Sequence, residues 1–210
     1  MLSHLLTIIS GAFWTLAYLL IIRQGFRDRT YGMPLVALCA NLSWEFVFSF
    51  IHPHPGIQHW VNLTWFLLDI IIFYQLLRYG ADEFPALRPW TFYSIVLLSL
   101  ISSILGIEFV SQEFQDPTGV YAAFGQNLMM SGLFIAMLLH RNSLRGQSLW
   151  IALGKLLGTA AASVNICLYA EIAQGSVLLP FLYVAIFIWD SVYVVLVFKY
   201  RNRLARQHHP

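Results

Sequence analysis

The chain has 210 residues, of which 59% are hydrophobic, 16% aromatic and only 10% charged, and its formal net charge is +2. A soluble globular domain carries about 25% charged residues. The composition therefore excludes a soluble globular enzyme, and it also excludes a disordered or coiled-coil protein. The sequence predicts one polytopic membrane domain that covers residues 1–210.

Seven apolar segments are long enough to cross a bilayer, since a spanning helix needs roughly 20 mainly apolar residues. They cover residues 3–22, 33–51, 58–77, 90–107, 120–139, 149–169 and 177–198. Proline and glycine lie in the connecting segments, as expected near helix ends. Runs of this length and uniformity do not fit the alternating strands of a membrane barrel. We predict an all-α bundle of seven transmembrane helices.

The distribution of arginine and lysine predicts the orientation of this bundle. The loops after helices one, three and five carry these residues, as does the C-terminal tail, whereas the loops after helices two, four and six carry none. Basic loops stay on the cytoplasmic side, so we expect the N-terminus outside and the C-terminus in the cytoplasm. Lys155 lies inside helix six, and we expect its ammonium group to snorkel to the interface. No basic stripe indicates nucleic-acid binding.

Three acidic residues lie within the predicted spans, where an ionisable side chain costs about 2.5–3.5 kcal/mol and usually has a function. They are Glu45 in helix two, Asp69 in helix three and Asp190 in helix seven. At ~1.5 Å per residue, all three occupy a slab roughly 6 Å thick near the midplane. If their helices face a common interior, they line one cavity. The simpler alternative is that these acids only form hydrogen bonds between helices, and this alternative is strongest for Asp69.

Helical spacing places polar and aromatic side chains around these acids. Burial disfavours a charged carboxylate, so such an acid stays protonated at neutral pH and is able to act as a general acid. Aromatic faces attract cations, and a water-poor cavity protects a carbocation. This combination favours protonation of an alkene or epoxide on a lipid-soluble prenyl chain. The candidate substrate-binding residues are Asn41, Trp44, Asp69, Tyr183, Phe187, Trp189 and Tyr193.

The segment NLSWEF at residues 41–46, together with Trp189 and Asp190 in helix seven, resembles the integral-membrane terpene cyclases of meroterpenoid and indole-terpenoid biosynthesis. These include the paspaline- and pyripyropene-type cyclases and their bacterial relatives. The resemblance implies seven helices and a metal-free, protonation-initiated cyclase of isomerase or lyase type, with Glu45 and Asp190 as its essential acids. It also implies a farnesyl or geranylgeranyl chain, ending in an epoxide or alkene, on an aromatic, indole or polyketide head group. Asp69 matches no assigned residue of the family.

We therefore expect Glu45 and Asp190 to form the acid site, with one donating the proton and the other holding the donor by a hydrogen bond. No metal or organic cofactor is expected, since the adjacent acids Asp82 and Glu83 lie in a loop and nothing basic in the cavity would hold a diphosphate. The expected partners are a lipophilic prenylated substrate and the bilayer of a bacterial plasma membrane or the endoplasmic reticulum. The alternatives are a small seven-helix transporter with a midplane acidic site and a retinal or ligand receptor.

Overall fold

The computed structural model describes the backbone of residues 2–207 and the side chains of residues 2–203. This part of the chain forms seven helices and no β-strand, which confirms the predicted all-α fold. The helices are α1 (Leu2–Asp28), α2 (Leu35–Phe46, continued by a π-helical turn at Val47–Ile51), α3 (Ile57–Tyr79), α4 (Pro89–Glu113), α5 (Val120–Arg141), α6 (Leu149–Tyr169) and α7 (Leu178–Gln207).

Six of these helices are long and apolar enough to span a membrane, so the prediction of a polytopic membrane protein is confirmed. The exception in length is α2, which has 12 residues followed by five in the π-helical turn. It corresponds to the predicted span 33–51. The predicted ends are within a few residues of those observed for α2, α3, α5 and α6, whereas α1, α4 and α7 extend further than predicted.

Local sequence explains where the helices begin and end. Gly56 and Gly119 precede α3 and α5 with φ of 65° and 64°, in the left-handed region that favours glycine. Pro89 occupies the first turn of α4, where its missing N–H costs nothing. The Ser148 hydroxyl accepts a hydrogen bond from the Ile151 N–H and caps α6.

The helices form a ring that closes around the interior. Its order is α1, α3, α2, α5, α7 and α6, and α6 packs extensively against α1. Helix α4 lies outside the ring against α2 and α5, and most of its surface is exposed. The main hydrophobic core, which includes Tyr31, Leu76 and Leu138, lies near the loops that follow α1, α3 and α5. We call this the basic end, and the end with the loops after α2, α4 and α6 the acidic end.

A buried ion pair joins three segments at the basic end. The guanidinium of Arg141, at the end of α5, lies 2.8 Å from the carboxylate of Glu83, and the two side chains are 6% and 12% exposed. Arg141 also donates to the Tyr31 carbonyl at 3.0 Å and covers the Tyr31 ring at 4.5 Å. The Thr30 hydroxyl donates to the same carboxylate. The pair therefore fixes the α1–α2 and α3–α4 connections against α5.

Candidate active site

A cavity of about 340 Å³ opens in the acidic half of the ring, among α1, α2, α3, α5 and α6. Its size is in the range of small-molecule sites. His54, Thr118 and Ala170, from the three acidic-end connections, surround its mouth. No described residue of α4 or α7 lines it, and its lining contains neither lysine nor arginine. Its wall is largely aromatic, with contributions from Trp14, Tyr18, Trp44, Trp65 and Phe124.

Glu45 borders this cavity and is held by two hydrogen bonds. The Tyr18 hydroxyl donates to Glu45 Oε1 at 2.8 Å, and the Asn41 amide donates to the same oxygen at 2.8 Å. Asn41 Nδ2 also lies 2.8 Å from Asp69 Oδ2. One amide therefore links the two carboxyl groups, whose helices α2 and α3 are neighbours in the ring.

The two linked carboxyl groups are almost fully buried, at 1% exposure for Glu45 and 0% for Asp69. Neither belongs to an ion pair within the described side chains. Two neighbouring buried carboxylates cannot both ionise cheaply without a cation, so the pair retains a proton. Glu45 lines the cavity and Asp69 lies behind it. This arrangement is suited to general-acid chemistry at Glu45.

Asp190 lies in a different polar cluster, behind the cavity wall. Its Oδ1 is 2.7 Å from Lys155 Nζ, and both side chains are 1% exposed. Lys155 also donates to Asn127 Oδ1 at 2.9 Å and to Ser131 Oγ at 2.7 Å. The expectation that Lys155 snorkels is wrong, because the cluster satisfies its three protons inside the bundle. Asp190 and Glu45 have separate hydrogen-bond partners.

The structure places the α7 aromatic residues away from the cavity lining, in contrast to the expectation from helical spacing. Tyr193 is fully buried, donates to Gln147 Oε1 at 2.8 Å and packs on Phe134. Tyr183 packs edge-on against Phe124, one layer behind the wall. Phe187 and Trp189 are 54% and 46% exposed on the outer surface. The reason is that α7 packs against α5 and α6 within the ring, and these two helices separate it from the cavity.

Of the residues singled out in the sequence, Asn41, Trp44 and Glu45 lie together at the cavity, with Asp69 directly behind them. Sequence reasoning missed the contribution of α1, where Trp14 and Tyr18 line the cavity. These two aromatic residues are four positions apart and share a helix face. That spacing within a predicted span is the pattern that could have identified them.

The indole N–H groups of Trp44 and Trp65, two residues of the aromatic wall, are engaged inside the protein. The Trp44 indole N–H donates to the Gly119 carbonyl at 2.9 Å, and the Trp65 indole N–H donates to the Thr15 hydroxyl at 3.0 Å. Gly119 permits this approach, since a Cβ there would collide with the Phe48 ring. The rings therefore present mainly their faces and edges to the cavity, which suits the stabilisation of a cation.

His54 contributes to the mouth of the cavity as a neutral ring of defined tautomer. The Asn62 amide oxygen accepts from Gln58, and its nitrogen lies 3.3 Å from the Phe48 carbonyl and 2.7 Å from His54 Nδ1. Nδ1 must therefore accept, so Nε2 carries the hydrogen and donates to the Thr118 carbonyl at 3.0 Å. Burial lowers the pKa of His54 from its usual 6.5, although Thr118 and nearby Asp116 act in the opposite direction.

The lowered pKa of His54 predicts a pH-dependent stability. Because the unfolded state takes up the proton first, this contribution is complete above about pH 6.5 and is lost as the pH falls towards the folded pKa. We expect the thermal midpoint in detergent to fall between pH 7.5 and 5.0, and to fall less in His54→Gln. The matched control is His4→Gln, on the exposed start of α1, which should follow the wild type. Equal pH dependence in His54→Gln would contradict the prediction.

The family model that matches this chain describes membrane terpene cyclases, and matching relatives are named terpene cyclases. The family model of the Pyr4-like transmembrane terpene cyclases matches residues 1–203. The Pyr4-family terpene cyclase mfmH of Annulohypoxylon moriforme is 34% identical, with 76% of this chain and 67% of the relative covered. Asnovolin H synthase nvfL of Aspergillus novofumigatus is 32% identical (78% and 69%), and terpene cyclase pyr4 of Aspergillus fumigatus is 31% identical (71% and 64%).

The chain spans about two thirds of the length of these three relatives. No solved structure has significant similarity to it. The matched family agrees with the resemblance of residues 41–46 and of Trp189 and Asp190, and it removes the basis for the transporter and receptor alternatives. This protein belongs to the Pyr4-like transmembrane terpene cyclases.

Proposed function

We propose that this membrane terpene cyclase starts its reaction by protonating a terminal epoxide or alkene on a prenyl chain, with Glu45 as the proton donor. The observation that carries the proposal is the position of Glu45, which lies on an aromatic cavity and shares the Asn41 amide with Asp69. The proton retained by this pair is available on the side that faces the substrate. Once Glu45 has given up its proton, Tyr18 and Asn41 stabilise the resulting carboxylate through hydrogen bonds.

The same cavity is suited to the carbocation that forms after protonation. Trp14, Trp44 and Trp65 line it and offer π-faces to a developing positive charge. The indole N–H groups of Trp44 and Trp65 donate hydrogen bonds to other groups of the protein. Exclusion of water limits early capture of the cation, so the chain has time to cyclise. The cascade then ends by proton loss or by an internal nucleophile.

The lining also favours a class of substrate and a direction of binding. Because no lysine or arginine among the described side chains lines the cavity, a neutral substrate is favoured over a prenyl diphosphate. Gln58, Thr118 and Asn165 lie nearer the mouth than Glu45 does and suit a polar aromatic, indole or polyketide head group. We propose that a farnesyl or geranylgeranyl tail enters first, and that the lipophilic substrate arrives from the surrounding bilayer.

Labelling in D₂O tests the proposal. Membranes containing the protein are incubated with farnesyl- and geranylgeranyl-substituted aromatics, each with and without a terminal epoxide. Cyclisation that ends in proton loss or internal capture is an isomerisation, so the product keeps the mass of the substrate apart from deuterium. Alkene protonation leaves one non-exchangeable deuterium, whereas epoxide opening leaves deuterium only on the new hydroxyl.

Membranes that carry the Glu45→Gln variant are the matched control for this labelling. They should contain the folded protein and form no labelled product. Equal product from wild type and variant would contradict the role of Glu45. No product from any of the substrates with the wild type would contradict the proposed substrate class.

A further inference from the structure

The proton transfer from Glu45 does not use Lys155, although this residue is among the largest fully buried side chains of the protein. Its ammonium group lies in the membrane-embedded bundle, where an unpaired charge is costly. Asp190 neutralises it at 2.7 Å, and Asn127 and Ser131 take its two remaining protons. Such a complete set of partners indicates a specific task for the pair.

Asn127 connects Lys155 to the cavity. Asn127 is a lining residue, and each end of its amide group has a partner on α6. Its oxygen accepts from Lys155 Nζ at 2.9 Å, and its nitrogen donates to the Thr159 hydroxyl at 3.0 Å. The amide is therefore held by two neighbours on α6 rather than by groups in the cavity. Trp14 lies beside it on the wall, with its ring 5.8 Å from the ammonium group.

We propose that Lys155 is a positioning residue that keeps the Asn127 oxygen engaged and thereby keeps water away from the carbocation. The inference rests on the proposed function and assigns a separate task to Asp190. As the counter-ion of Lys155, Asp190 makes the pair neutral, so the ammonium group does not repel a cation in the cavity. In this arrangement Glu45 supplies the proton. Lys155 keeps the Asn127 oxygen in the cavity wall engaged, and Asp190 neutralises the charge of Lys155.

Loss of Lys155 has a defined chemical consequence. The Asn127 oxygen then lacks its donor and is able to accept a hydrogen bond from a water molecule at the wall. That water adds its oxygen to the carbocation to form a C–O bond, and the oxonium loses one proton to surrounding water. The product is an alcohol that contains one added water, and it is about 18 Da heavier than the isomerisation product. The ratio of the two products reports on Asn127 rather than on overall folding.

The test compares Asp190→Asn with the double variant Lys155→Met/Asp190→Asn. The single variant keeps Lys155 on Asn127 but leaves its charge unpaired, so we expect turnover at least 100-fold below wild type, without added hydration. The double variant removes both charges, so we expect turnover at least tenfold above the single variant and a hydrated fraction at least tenfold above wild type. Thermal unfolding in detergent confirms that each variant is folded.

Two further variants make the result decisive. Thr159→Val frees an N–H of the same amide, which is then able to hold a water molecule at the wall by donating to it, and it should also raise the hydrated fraction, even if the double variant does not fold. Gln75→Leu removes a buried polar group of α3 that lies outside the cavity lining, and it should keep the wild-type ratio. Turnover of the folded double variant equal to that of Asp190→Asn overturns the counter-ion role. An unchanged hydrated fraction overturns the role of Lys155, whereas a wild type without product from any of the substrates contradicts the proposed substrate class instead.

Discussion

Replacement of Glu45 by glutamine is expected to reduce turnover by roughly 10²–10⁴-fold, the usual contribution of a general acid. Glutamine has nearly the same size, and its carbonyl oxygen is able to accept from Tyr18 and Asn41 as the carboxyl oxygen does. It has no acidic proton to give. The wild-type thermal midpoint should therefore be nearly retained while the initial rate falls. Initial rates in membranes and thermal unfolding in detergent measure the two quantities.

Two further substitutions of acidic residues define the specificity of this effect. Glu113→Gln neutralises an exposed acid at the end of α4 and should leave the rate unchanged. Asp69→Asn removes the second carboxyl group of the linked pair, and we expect a smaller loss because Asp69 does not line the cavity. A Glu45→Gln variant that keeps more than one tenth of the wild-type rate would exclude Glu45 as the proton donor.

Replacement of Arg141 by methionine is expected to destabilise the protein by about 3 kcal/mol, the lower end for a broken buried ion pair, since Glu83 loses its buried cation and keeps only the half-exposed Arg145. The remaining carboxylate of Glu83 would retain Thr30 as a hydrogen-bond donor and Arg145 at 3.4 Å. The guanidinium contacts with Tyr31 would also be lost. For a chain of this size the thermal midpoint should fall by roughly 6–12 °C.

The control for Arg141 is Arg27→Gln, which removes a cation whose side chain is 67% exposed and pairs with its neighbour Asp28. Exposed pairs contribute roughly 0–1 kcal/mol, so its midpoint should stay close to wild type. The double variant Arg141→Met/Glu83→Met leaves no buried unpaired charge, since the remaining partner Arg145 is 45% exposed, and it should recover part of the loss. An Arg141→Met protein that unfolds at the wild-type temperature would contradict the structural role of the pair.

Hydropathy predicted the seven helices because each span had to be apolar over its whole length to lie in a bilayer. The grouping of Asn41 with Glu45 was also predictable, since both lie on one helix four residues apart. The position of Asp69 behind Glu45 follows from the contact between α2 and α3, which spacing within a single helix does not contain.

The position of α7 could not be predicted in this way. Lipid and the bundle interior are both apolar, so the hydrophobic stripe that orients a helix in a soluble protein is weak here. Phe187 and Tyr193 therefore looked equivalent in sequence, whereas the structure exposes the first and buries the second. The partner of Lys155 is likewise on another helix, 35 residues along the chain, and only the packing of α6 on α7 reveals it.

The short second helix has a consequence for how substrate reaches the protein. At ~1.5 Å per residue, α2 and its π-helical turn extend roughly 25 Å, which is less than the ~30 Å hydrocarbon core of a bilayer. The bilayer must thin beside it, or one end of α2 must lie below the headgroups. Where that end is the one followed by the connection with His54, this connection would sit where acyl chains meet headgroups. The proposed substrate, once partitioned into the leaflet, would then meet the opening directly, and its tail would pass from one apolar medium to another without exposure to water.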